Sequence, residues 1–230
     1  MGDREASGKW RDVDIFVVLV LYATFLVAFL YTQSFFFGSS SLDDSNKQPL
    51  LFVFEEVVDA ALLALVPIYF VRKVYGGRIS DVGLTARRPM ADALFGFAIG
   101  VLLFGVAGVS AMAIESAFGV VGAHPYLEIL DKTTSATMRL VVYASILVLA
   151  PLSEEIFFRG FVYRVLKTNH GIQVAIVGSA TLFTAIHFSL ASFVPIFIAG
   201  IALAWLFERT GSLISPMVAH ATFNILNVAS

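Results

Sequence analysis

Apolar runs long enough to cross a bilayer occupy most of this chain and leave it few ways to fold. In hydrocarbon no water is available to the backbone, so each spanning segment must satisfy its own N–H and C=O groups, which a helix does. A spanning helix needs about 20 apolar residues, with a range near 17–25. Seven runs are candidates, the fifth to seventh of them short and closely spaced: Val13–Phe37, Leu50–Val71, Ala91–Phe118, Leu140–Leu166, Ile172–Phe188, Phe193–Phe207 and Leu213–Val228. The expected fold is therefore all-α, a polytopic transmembrane bundle of seven spans. Residues 1–12 form a short tail, and 13–230 form a single membrane domain. The first run is too long for a signal-peptide core and lacks a small-residue cleavage site, so it is expected to stay as an anchor.

Composition supports the same class. Hydrophobic residues make up 58% of the chain and charged residues 14%, with a mean hydropathy of +0.86, too apolar for a soluble domain of this length. A net charge of −2 argues against a nucleic-acid partner. Without cysteine there is no disulfide framework, thiolate metal site or Cys nucleophile. No internal repeat or domain linker is visible.

Basic residues give an orientation. One set of tails and loops holds Arg4, Lys9, Arg11, Arg72, Lys73, Arg78, Arg87, Arg88, Arg164, Lys167 and Arg209; the other holds Lys47, Lys132 and Arg139. Eleven against three places the N-terminus in the cytoplasm. Ser39–Ser41 and Gly119–Met138 read as external loops, His124 and His170 as loop residues, and Gly96-x-x-x-Gly100 as a close helix-packing site.

Within the apolar runs lie six polar residues that such runs rarely contain. They form three patterns: Glu154-Glu155-x-x-x-Arg159, Phe183-x-x-x-His187 and His220-x-x-x-Asn224. A charge at mid-bilayer costs roughly 2.5–3.5 kcal/mol on insertion scales, so residues of this kind mark a functional site. Residues four apart share a helix face and adjacent ones diverge. Glu155 is thus a neighbour of Arg159, which can hold a carboxylate. Glu154 points elsewhere, with Phe158 at i+4, and is free to handle a proton. At 1.5 Å per residue from the cytoplasmic helix ends, Glu154 lies at a depth of roughly 15 Å, His187 about 22 Å, His220 about 12 Å and Asn224 about 18 Å. All fall near the middle third of a core about 30 Å thick. Three helices thus bring polar groups to one level. Glu55, Glu56 and Asp59 lie near the outer end of the second run and are expected to face water or a polar cavity at the interface.

The three motifs, in this order on separate helices, resemble the CPBP family of CAAX prenyl endopeptidases and bacteriocin-processing, Abi-type bacterial proteins. The likeness covers about residues 140–228. It implies a membrane-embedded peptidase with about eight spans where hydropathy gives seven, and it nominates Glu154, Glu155, Arg159, His187, His220 and Asn224 as catalytic. The substrate it implies is a peptide or membrane protein, prenylated in the CAAX case; a bacterial member would sit in the plasma membrane. The chemistry has two readings. In one, Glu154 and His187 activate water, and His220 and Asn224 donate to the oxyanion. In the other, Glu154, His187 and His220 ligate zinc. No HExxH occurs, and Asn is a poor zinc ligand, so the metal-free reading is preferred. Two readings of another class remain: a non-catalytic immunity or scaffolding protein of the same fold, and a proton-coupled transporter, which would more often carry inverted repeats.

Overall fold

The computed structural model describes residues 10–37, 47–119, 125–187 and 192–230. Arg4, Lys9, Ser39–Ser41, His124 and the Phe188 end of the fifth run lie outside the described residues. Those described form helices, with no strand among them. In chain order these are α1 (Asp12–Phe37), α2 (Lys47–Tyr69), α3 (Pro89–Phe118), α4 (Pro125–Lys132), α5 (Ala136–Ala144), α6 (Ala150–Glu155), α7 (Tyr163–His170), α8 (Ile172–Ala185), α9 (Phe193–Thr210) and α10 (Ile214–Ala229). The chain folds as an all-helical membrane bundle.

Elements α5 to α7 are one continuous helical body, Ala136–His170, 35 residues long. It starts at Ser135, whose hydroxyl accepts from the Met138 N–H at 3.4 Å and so caps the first turn. Two π-helical stretches, Ser145–Leu149 and Ile156–Val162, bracket α6. The first has a local cause. Pro151 brings no N–H and crowds the carbonyl four residues back, and the helix widens to i+5 bonding just before it. This body is called the motif helix below.

By length and composition four helices can cross a membrane: Asp12–Phe29, Pro89–Ala117, the motif helix and Phe193–Thr210. The other three expected spans differ in instructive ways. The second, α2, has 23 residues but carries Glu55, Glu56 and Asp59 at its centre. The fifth, α8, stops at Ala185 after 14 residues, about 21 Å of helix. The last, α10, has 16. His170, expected in a loop, is the last residue of α7 and meets Asp12 at 2.9 Å.

Helix α3 lies along α10 and α9, α8 along α9 and α7, and α2 along the motif helix. The contact of α3 with α10 is close because of two glycines. A Cβ on Gly96 would land on the Ser215 carbonyl oxygen, and one on Gly100 would stand 2.6 Å from that of Ala219. The aromatic core centres on the second π stretch, where Phe157, Phe158, Phe161 and Val162 are wholly buried against Val71, Tyr75 and Phe183.

Candidate active site

The six motif residues are best followed from the inside out. Glu155 and Arg159 are fully buried. As one-face neighbours they close an ion pair, Arg159 Nη1 donating to Glu155 Oε1 at 2.7 Å. Arg159 Nη2 donates to the Gly200 carbonyl at 3.1 Å, and its guanidinium lies 4.6 Å above the Phe183 ring. A buried guanidinium so engaged is held by α9 and α8 as well as by its own helix. Phe183 thus acts as a platform: its ring also meets the rings of His187 at 4.8 Å and His220 at 5.7 Å.

Glu155 has a second partner. His220 Nδ1 stands 3.0 Å from the same Oε1. A carboxylate can only accept here, so the proton is on Nδ1 and the Nε2 nitrogen is left facing Glu154, 3.8 Å from its Oε2. One buried carboxylate therefore joins α10 to the motif helix and orients the histidine, an arrangement in which a second group fixes the tautomer of the first.

Glu154 is part-buried, with 17% of its side chain exposed, and its Oε2 is buried without a hydrogen-bond partner. It lines a cavity of about 140 Å³ together with His187, Ser153, Tyr22, Glu56 and Asp59. His187 lies two residues past the end of α8, in the turn that follows, rather than inside a span. Its Nδ1 donates to the Phe183 carbonyl at 2.7 Å, the proton again assigned because a carbonyl only accepts. That leaves Nε2 as an acceptor. Asn224 lies elsewhere than expected for a free donor: its Nδ2 gives one hydrogen to the Ile146 carbonyl at 3.1 Å, within the first π stretch. Five of the six residues are thus linked, directly or through Phe183, and Asn224 meets the motif helix two turns upstream.

Glu56 and Asp59, expected to face water or a polar cavity at the interface, line the cavity with Glu154. Tyr22, which carries no motif, donates to Asp59 at 3.4 Å. Their i, i+3 spacing signalled a shared face of α2, but nothing in the sequence said which helix that face would meet.

Residues 136–226 match the family model described as Rce1-like, a type II CAAX prenyl endopeptidase. Over these residues the chain is similar to the CAAX prenyl endopeptidases. No curated protein and no solved structure matches it. The segment shared with the CAAX endopeptidases runs from the first turn of the motif helix nearly to the end of α10, and holds all six motif residues. Tyr22, Glu56 and Asp59, which also line the cavity, lie outside it.

A zinc ion in such an endopeptidase would need at least three donors drawn together. Among the described residues no group of three or more His, Asp or Glu is gathered closely enough to hold a metal ion. Of the alternative set, Nε2 of His220 is 3.8 Å from the Glu154 carboxylate, and His187 lines the cavity with Glu154.

Proposed function

We propose that this chain hydrolyses a peptide bond at the membrane, as a CAAX-type intramembrane endopeptidase in which Glu154 and His187 activate water. The single observation that carries the reading is that both groups line one cavity, each with an open acceptor. A water held between them gives a proton to Glu154. The hydroxide adds to the carbonyl carbon, and negative charge moves to the carbonyl oxygen. Collapse breaks the C–N bond, and Glu154 returns the proton to the departing amine.

His220 and Asn224 are proposed for the oxyanion side. His220 donates through Nε2 when its ring carries both protons, with Nδ1 held on Glu155. Asn224 retains one amide hydrogen after serving the Ile146 carbonyl. Glu155 and Arg159 are positioning residues that hold His220 in place. The similarity of residues 136–226 to the CAAX endopeptidases supports prenylated C-terminal peptides as one substrate class, with a leader peptide or membrane protein as the other.

The test is hydrolysis by purified protein of farnesylated and unfarnesylated C-terminal peptides, joined to elemental analysis. Cleavage without stoichiometric metal, insensitive to chelation, is expected. Tightly bound zinc whose removal abolishes activity and whose return restores it would overturn the mechanism; a folded protein that cuts nothing would favour the scaffolding reading.

A further inference from the structure

The backbone of the motif helix leaves one acceptor unserved, and a motif residue of another helix serves it. In an α-helix the Ile146 carbonyl would take the N–H of Ala150, four residues on. In the first π stretch that N–H goes to the Ser145 carbonyl instead. In the π register the donor to Ile146 would be the residue five places on. That residue is Pro151, which is buried and has no N–H. The carbonyl so orphaned is met from α10, where Asn224 Nδ2 donates to it at 3.1 Å. Because a carbonyl only accepts, the bond also assigns which end of the Asn224 amide faces it.

The surroundings give this pairing its consequence. Ala150, Ser153 and Glu154 all line the cavity, so the proline sits within the wall, one turn before Glu154. On α10, His220 and Asn224 are four residues apart and share a face. His220 meets Glu155 at 3.0 Å and Asn224 meets Ile146, so side chains tie α10 to the motif helix on both sides of Pro151. A backbone carbonyl without a donor is costly where water is scarce, and this cost holds the Asn224 amide in one orientation. The amide is planar, so fixing one of its hydrogens on Ile146 also fixes the direction of the other.

We propose that Pro151 is a positioning residue for the reaction: by withholding an N–H from the Ile146 carbonyl it reserves that acceptor for Asn224, and the bond so formed aims the remaining Asn224 hydrogen at the developing oxyanion. This rests on the peptidase reading above, which gives that hydrogen its task. Pro151 touches no reacting atom and acts through Asn224 alone. Pro151→Ala returns a backbone donor to Ile146 at the position the π register requires. Asn224 is then no longer needed there, and its amide is free to turn.

The experiment is a double-mutant cycle on the full chain in detergent, with Pro151→Ala, Asn224→Ala and both together, read by steady-state kinetics on a peptide that wild type cuts. Pro151→Ala is expected to melt no lower than wild type, since alanine suits a helix interior better than proline. Its kcat is expected to fall at least about tenfold, with KM changed by less than about twofold. Adding Asn224→Ala to it should cost less than about threefold more, because the two act through one bond. Wild-type kcat in folded Pro151→Ala, or losses that multiply in the double variant, would overturn the inference and leave the peptidase intact. No cleavage by folded wild type would remove both. The ¹³C shift of the Ile146 carbonyl in labelled protein is a second readout, independent of turnover and of the proline variant. Asn224→Ala is expected to move it upfield, as for a carbonyl that loses a hydrogen bond, and an unmoved signal would overturn the inference.

Discussion

The two adjacent glutamates differ in what surrounds them, and that difference decides their behaviour. Glu155 is fully buried between Arg159 and His220, whereas Glu154 borders the cavity. Replacing Glu155 by Gln leaves the Arg159 guanidinium buried without its charge partner. Breaking such a pair typically costs about 3–5 kcal/mol, so Glu155→Gln is expected to melt well below wild type in detergent; a wild-type melting temperature would show that Arg159 does not depend on it. Asn224 presents a separate case. Its Ile146 contact lies in the first π stretch, and its remaining hydrogen is proposed for the oxyanion. Loss of one such donor typically lowers kcat about 10²–10³-fold, with little change in KM. Steady-state kinetics of Asn224→Ala check this, and a rise in KM at constant kcat would point to substrate binding instead.

At the scale of the element, periodicity carried some features and tertiary packing hid others. The Glu155–Arg159 pair was legible because four-residue spacing is a local property of a helix. The His220–Glu155 bond joins two helices 65 residues apart, which no local pattern contains. The π stretches were also hidden, although Pro151 is a visible cause for the first. Helix α8 ended before His187 because a continuous apolar run does not mark where a helix stops. Glycine spacing, by contrast, was informative: Gly96 and Gly100 meet the α10 backbone, whereas Gly105 of the same helix has nothing near its missing Cβ. Gly100→Ala is therefore expected to destabilise by about 1–3 kcal/mol through overpacking. Gly105→Ala should be neutral or gain up to about 1 kcal/mol from helix propensity. Thermal unfolding of the pair in one detergent tests this, and equal effects would mean that α3 and α10 are not packed as described.

At the scale of the molecule, the fold class was readable because so apolar a chain has little choice but helices in lipid. The number of crossings was less so: α2 carries carboxylates, and α8 and α10 are short, so hydropathy alone does not say how each is covered. The carboxylates of α2 are accounted for by the cavity, which needs two walls; the family segment supplies one and the N-terminal helices the other. The charge asymmetry predicts that the loop between α2 and α3 is cytoplasmic. A cysteine introduced by Arg78→Cys should resist an impermeant reagent in intact cells, and labelling from outside would reverse the orientation. The central claim, that a carboxylate of the motif helix activates water for peptide hydrolysis, is tested most directly by kcat of Glu154→Gln on any peptide that wild type cuts. Turnover is predicted to fall to background while the melting temperature stays close to wild type, because Glu154 has no hydrogen-bond partner to lose at Oε2. Turnover near the wild-type rate in that variant would contradict the account.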